Sequence, residues 1–429
     1  MTIDTENTLR KPEVYETKQI QLTSPILHIG SAVSQLSPFE YVQTGKFVYL
    51  PDQDALAKAL KERGYLNDYI QRIESRQEIV TLLEDAFGDN WYLAKNKDGQ
   101  FIFPKERRSL KWTEQKITDL RPMIRNGFGQ LYIPGSSIKG AIRTAIAYHL
   151  LKHGDRYKVP QQQRVSEIEN RLRNSMGELR NRAKFADDKM FMDRLFSFFR
   201  FEGDRSDAKP SPNTDFMRSI HVTDSKALIE ENRQTKQGKK LFVNLPVTTE
   251  VIIISHFDDW RAKYKAPIYT EMVRNVETQF SITIDSALLS KFRSEMQIPF
   301  GTINQLLQIC QEFADDQWQH ERKHWQEKMR SNPNGRDQNG QSINLAIDSI
   351  QEDFYRNESC PYFSRLGWAS GMLGTTVNLH FSEEMRTEIR ENFCPQKAGK
   401  FEAPKSRRIV ANLDRELKFV PGWVKFKVL

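Results

Sequence analysis

The sequence has little cysteine. Only Cys310, Cys360 and Cys394 occur in 429 residues, far apart and without a Cys-x-x-Cys. That spacing excludes a disulfide framework and a cysteine zinc site, and it points to a reducing compartment. Long apolar runs are also missing. The strongest, Val251–Ile254, falls far short of the roughly 20 residues of a membrane span. A soluble, cytoplasmic protein with no membrane partner is the expectation. Met1–Lys18 is polar and mixed in charge, unlike a secretory leader. Hydrophobic residues make up 38%, below the ~45–50% usual for globular chains counted with glycine. Part of the molecule is therefore solvated helix or loop.

Charge, by contrast, is plentiful. Lys and Arg number 64 against 56 Asp and Glu, a formal net charge of +8. This balance permits a polyanion partner without proving one. The length suits two or three domains at about 100–200 residues each.

The apolar pattern alternates strands and helices with long insertions, an α+β class. Residues 1–17 read as a flexible arm. Strands are expected at Lys18–Ile29 (with Pro25 at an edge or bulge), Phe47–Leu50, Met217–Thr223, Glu250–Ser255, Thr375–Phe381 and Lys418–Val428. Helices are expected at Asp54–Ile73, Ile79–Phe87, Ser281–Arg293, Ile303–Lys328 and Ala346–Tyr355. Gln161–Phe201 is a charged, helix-prone insertion, and Ser331–Gln341 a polar linker. Lys95–Arg121 is rich in Lys and Arg with little periodicity.

One segment carries chemistry. Leu131–Ile133 reads as a short strand, Pro134-Gly135 as a turn, and Ile138, Ile142, Ala145 and His149 as one helical stripe. Ser136 or Ser137 stands at the expected N-cap. A helix N-terminus offers unpaired amides and partial positive charge. Gly135 lets a backbone approach closely, the two serines add hydroxyls, and Lys139 and Arg143 add charge on one face. Together they form a phosphate cradle. The same residues also fit a capped helix with a solvated basic face. A nucleotide P-loop does not fit, because Ala141-Ile142 stand where Lys-Ser/Thr would follow Gly140.

Tyr132–Thr144 (YIPGSSIKGAIRT) strongly resembles the signature of the RAMP superfamily, the CRISPR-associated RNA-binding proteins. Further segments fit one branch of it: Ser24–Ser31 (SPILHIGS), His221–Lys226 (HVTDSK), Arg365–Val377 (RLGWASGMLGTTV), Pro404–Ile409 (PKSRRI) and Pro421–Lys425 (PGWVK). Their order resembles the fifth-subunit family of Csm effector complexes in type III-A, or related III-D, CRISPR systems. The resemblance implies a ferredoxin-like (RRM-like) core in two copies with large helical insertions. The division would fall into the 1–17 arm, an N-terminal domain at 18–260 and a C-terminal domain at 261–429 bearing the glycine-rich element.

The resemblance further implies a guide-RNA-binding structural subunit. Such a subunit caps the backbone filament at the 3′ side of the guide and assists its maturation. Its partners would be guide RNA, other Csm-type subunits, target RNA indirectly and a recruited nuclease, with no cofactor. Gly135, Ser136, Ser137, Lys139 and Arg143 would meet guide phosphates. His28, Gly367, Gly371, Gly374, Arg407 and Arg408 would complete the RNA surface. A close-packed turn fits the three later glycines equally well, and Trp368 reads better as core than as a base platform. Leu373-Gly374-Thr375-Thr376 lacks the Lys that usually precedes this tail in the family.

The enzyme readings are weaker. Target cleavage in these systems uses an acidic residue after the first strand of a sister subunit. Here Gly30–Val42 holds no Asp, and Glu40 is its only acid. A related RAMP class cleaves guide precursors with histidine. That makes an endoribonuclease using His28 or Glu40 the runner-up. His149 continues the apolar stripe and reads as a satisfied boundary residue. His320, Glu321 and His324 have zincin spacing, but on a polar helix with limited apolar support, so no metal is expected.

Overall fold

The first strand, Tyr15–Leu27, is built by alternation. Ile20 and Leu22 are fully buried while Gln19, Gln21 and Thr23 stay at least partly exposed. It pairs antiparallel with Lys263–Asp285 along its length and with Trp423–Val428 over Ile20–Thr23. Pro25 lies past the end of that second pairing, where no amide is needed. The computed structural model describes residues 15–182, 192–202, 211–234, 238, 240–256, 259–393 and 403–429. The expected arm falls outside these residues up to position 14, as does part of the Gln161–Phe201 insertion and Cys394.

A twelve-stranded mixed sheet organises the chain. Its longest member, Lys263–Asp285, spans 23 residues and was not expected as a strand. The helix anticipated at Ser281–Arg293 is corrected. Phe280, Ile282 and Ile284 are buried between partly exposed Ser281, Thr283 and Asp285, a period of two. Only Ser286–Leu289 turns helical, capped by the Asp285 carboxylate on the Leu288 amide. The N-terminal half of the long strand pairs with Leu245–Ser255, and its C-terminal half with the first strand. Between the halves sits Asn275 in the left-handed region, φ 50°. It faces Asn244, itself at φ 51°, whose amide donates to the Asn275 carbonyl at 3.0 Å. Met272 and Val276 consequently pack into different apolar clusters despite their even spacing.

The largest cluster joins the first strand and the far half of the long strand to two helices, Gly135–Lys152 and Ile303–Lys323. A second gathers Trp318, Trp325, Tyr355 and Trp423 under Ile252, Ile254 and Ile409. A third belongs to residues 42–103, whose helices carry Leu56, Leu60, Leu82 and Leu83. The single helix expected at Asp54–Ile73 is two, Gln53–Arg63 and Leu66–Glu74, because Gly64 caps the first at φ 84°. The expected division at 260/261 falls in the connection between Leu245–Ser255 and Lys263–Asp285.

Other corrections are local. Thr375–Phe381 is not a strand but turns, with a short helical turn at Asn378–His380. Pro421-Gly422 splits the C-terminal strand into Leu417–Phe419 and Trp423–Val428. The polar linker contains a strand, Asn332–Arg336, paired with Ser342–Leu345. The helix expected at Ala346–Tyr355 is a wide π-type turn at Ser349–Phe354.

Candidate nucleic-acid interface

The signature helix runs from Gly135 to Lys152 with Pro134 at its N-cap, not Ser136 or Ser137. The strand expected at Leu131–Ile133 is absent. Leu131 makes one bridge with Arg125, and Ile133 is held by Ser225 through its amide and carbonyl. Gly135 is required by the chain itself, since a Cβ there would lie 2.3 Å from the Val222 carbonyl oxygen. Its amide donates to Asp224 Oδ1 at 2.7 Å. Ser136 is exposed and Ser137 half-buried, and neither hydroxyl has a hydrogen-bond partner among the described residues.

The two cations of the helix are engaged within the chain. Lys139 Nζ donates to the Ile220 carbonyl at 2.8 Å. Burial pushes its pKa down; Asp215 opposes this and Arg143 adds to it. The Arg143 guanidinium pairs with Asp215 at 2.6 Å and Asp193 at 3.7 Å, and lies over the Phe196 ring.

The glycine-rich element packs against the first strand. Gly367, at φ 83°, would place a Cβ 2.0 Å from the His28 carbonyl oxygen. At Gly374 a Cβ would lie 2.8 Å from Ser370 Cβ, so both positions are close-packed. Gly371, at φ 65°, faces open space. His28 is 1% exposed, and its Nδ1–H donates to the Glu271 carbonyl at 2.7 Å. Burial pushes its pKa down to about 4, only partly offset by Glu271. Its ring meets the edge of Trp368 at 5.8 Å. The guanidinium carbons of Arg121 and Arg408 lie 4.5 and 4.3 Å from the Trp368 ring centre. Arg408 also donates to the Trp368 carbonyl at 3.0 Å. Arg407 turns the other way, into the core, and donates to Glu321 Oε1 at 2.7 Å.

The RAMP superfamily matches residues 19–379. The chain belongs to the RAMP superfamily. Among curated proteins, it is 28% identical over 168 residues to the CRISPR system Cms protein Csm5 of Enterococcus italicus. That match covers 33% of this RAMP chain and 48% of the relative, so the chain spans about half the length of the curated protein it matches. Two solved structures share its fold over 96% of this chain and 100% of theirs. One is a chain in the cryo-EM structure of a Csm–crRNA–target RNA ternary complex of a type III-A system, at TM-score 0.60 and 20% identity. The other is the crystal structure of T. onnurineus Csm5, at TM-score 0.54 and 18% identity.

The remaining catalytic and metal candidates of this RAMP protein have protein partners. Glu40 Oε2 accepts from the Ser37 amide at 2.7 Å, a local turn. Glu321 sits buried between Arg407 at 2.7 Å and Arg365 at 4.0 Å, which removes the base from the His320–His324 pattern. His149 is satisfied on both nitrogens, by Glu312 and by the Tyr157 hydroxyl. With His153, this histidine and Glu312 form a three-ligand cluster between helices that the spacing of the sequence did not reveal. Lys152 Nζ already supplies a cation there, 3.1 Å from Glu312 Oε1.

Sequence reasoning also missed Arg121, Trp112 and Arg274. The basic character of Lys95–Arg121 was the available signal for the first. Nothing in the spacing joins position 121 to 368.

Proposed function

We propose that this chain is a non-catalytic, guide-RNA-binding structural subunit of a Csm-type complex in a type III CRISPR system, acting in the cytoplasm. It caps the backbone filament at the 3′ side of the guide and assists maturation of that end. Its partners are the guide, neighbouring Csm-type subunits, target RNA indirectly and a recruited nuclease. The carrying observation is the first turn of the signature helix, where exposed Ser136 and half-buried Ser137 have hydroxyls with no hydrogen-bond partner among the described residues, beside the Gly135 amide that Asp224 holds. Hydroxyls beside a helix N-terminus bind phosphate oxygens without reading bases, which suits a guide of any sequence. Gly371 and Arg408 add RNA contacts at the glycine-rich element, where Gly367, Gly374 and His28 are close-packed, and Arg407 supports the core through Glu321.

A non-catalytic role is supported by His28. Its Nδ1 is tied to a carbonyl in a buried site, so it is poorly placed to exchange protons with a bound strand. Two ferredoxin-like units dividing near residue 260, with Lys263–Asp285 serving both, fit the two-part pairing of that strand.

Co-expression with the other subunits and a guide array tests the reading. RNA extracted from the assembled particle should fall in amount or carry altered, less mature 3′ ends when Ser136→Asp is introduced. Unchanged guide occupancy and unchanged 3′ ends in that variant would overturn the assignment.

A further inference from the structure

Among the described residues, one apolar cluster of the sheet includes no residue of an α-helix. It consists of Ile26, Val247, Val251, Met272 and Val410, with Leu110, Trp112, Leu245, Trp368 and Phe419 packed on it. Every member except Trp368 belongs to a strand. Over this face lie three half-buried arginines. Arg121 and Arg408 rest on Trp368, and Arg274 rests on Trp112 at 3.9 Å and Phe419 at 5.8 Å. The two stations are continuous. Phe419 pairs with Val410, and Arg408 lies two residues before Val410 on the same side of its strand.

None of the three has a carboxylate partner among the described residues. Arg408 bonds only a carbonyl, and Arg121 Nε is buried without any partner. Other arginines of the fold do find carboxylates: half-buried Arg125 and Arg415 meet Glu271 and Glu250, and buried Arg407 meets Glu321. Uncompensated buried charge is costly, and burial pulls the pKa of all three arginines down. The three guanidinium carbons lie 3.9 to 4.5 Å from tryptophan ring centres, Arg408 spends one N–H on the Trp368 carbonyl, and guanidinium N–H groups without a carboxylate are the donors that grip phosphate oxygens.

We infer that this strand-built face is a second RNA-binding surface, separate from the signature helix. A single-stranded segment lies across it with its phosphates on Arg121, Arg274 and Arg408 and its bases against the Trp112, Trp368 and Phe419 layer. The inference rests on the guide-binding reading and extends it to a defined track. Single strands suit the face because stacking needs unpaired bases and tolerates any sequence.

The test uses the full chain and a fluorescein-labelled single-stranded RNA of mixed sequence, titrated at several salt concentrations. Arg121→Ala/Arg274→Ala/Arg408→Ala should weaken binding at least tenfold and reduce the salt slope by about 2, three phosphates at ~0.7 each. The corresponding triple Lys variant should keep most of the slope and lose part of the affinity. Photo-crosslinking of the wild-type chain gives an answer even if the alanine variant unfolds. Adducts on the Trp112 or Trp368 peptides support the track, and adducts confined to other peptides overturn it. If Ser136→Asp weakens RNA binding while the folded triple variant binds normally, this inference fails and the guide-binding reading survives. If the wild-type chain and its complex hold no RNA, that reading fails first. Normal RNA affinity with loss of a co-purifying subunit in the triple variant would make the face a protein interface and overturn the inference.

Discussion

Asp224 occupies the start of the signature helix: its Oδ1 accepts from the Gly135 amide at 2.7 Å. A carboxylate there complements the helix dipole, and it stands where an incoming phosphate oxygen would compete. Replacing Asp224 by Asn should raise affinity for single-stranded RNA several-fold at low salt. It should also lower stability by about 0.3–1 kcal/mol. Anisotropy titration paired with urea unfolding measures both, and a fall in affinity would count against phosphate at this helix end.

Arg143 acts first on stability. Its bond to Asp215 and its place over Phe196 tie the helix to those two positions. Arg143→Ala should cost on the order of 1–2 kcal/mol, between exposed and buried ion pairs. The comparison is the urea midpoint of wild type and variant at equal slope. A change below 0.3 kcal/mol, by rough urea-curve precision, would show the pair to be idle.

Two glycines should respond in opposite directions. Gly140 lies within the signature helix, with nothing within 4 Å of an added Cβ. Gly140→Ala should stabilise by about 0.5–1 kcal/mol. Gly367→Ala puts a methyl 2.0 Å from the His28 carbonyl oxygen at a left-handed φ, and should abolish cooperative melting or lower its midpoint sharply. Similar melting temperatures for the two variants would contradict the packing described.

Acid should weaken the fold in two windows. His28 has its folded pKa depressed from 6.5 to about 4 by burial, so the unfolded chain binds its proton more readily. That contribution is fully present above pH 6.5 and is lost as pH falls toward 4, on the order of 3 kcal/mol in all. At Glu312, burial raises the pKa, but bonds from His149, His153 and Lys152 outweigh it and hold the carboxyl at about 2. Its contribution is present above about 4.5 and disappears as pH drops through 2. Urea unfolding at stepped pH should show His28→Asn flattening the upper window and Glu312→Gln the lower. Parallel curves for both variants and wild type would refute these origins.

Much of this was legible in the sequence where a single period governs a segment. Ile138, Ile142 and Ile146 marked the signature helix, and Ile20 and Leu22 marked the first strand. The long strand escaped because its period breaks at Asn275, where the left-handed residue moves later side chains to the other face. Local chemistry also misassigned the helix cap. Ser136 and Ser137 looked like caps, but Pro134 fixes the entry and Asp224, nearly ninety residues later, takes the amide. The arginine–tryptophan stacks join positions 112, 121, 274, 368 and 408. No spacing rule reaches that far, because sheet pairing gathers four of these positions and the turn at Trp368 packs the fifth against them.

The strand Lys263–Asp285 is bonded on one flank to Leu245–Ser255 and on the other to Tyr15–Leu27. A plank spliced into both ends of a structure leaves no joint between them. Bending one end against the other would mean tearing backbone ladders, so torque applied at either is carried along the shared strand. A chain built this way moves as one rigid brick, and any articulation in an assembly that contained it would have to come from its neighbours.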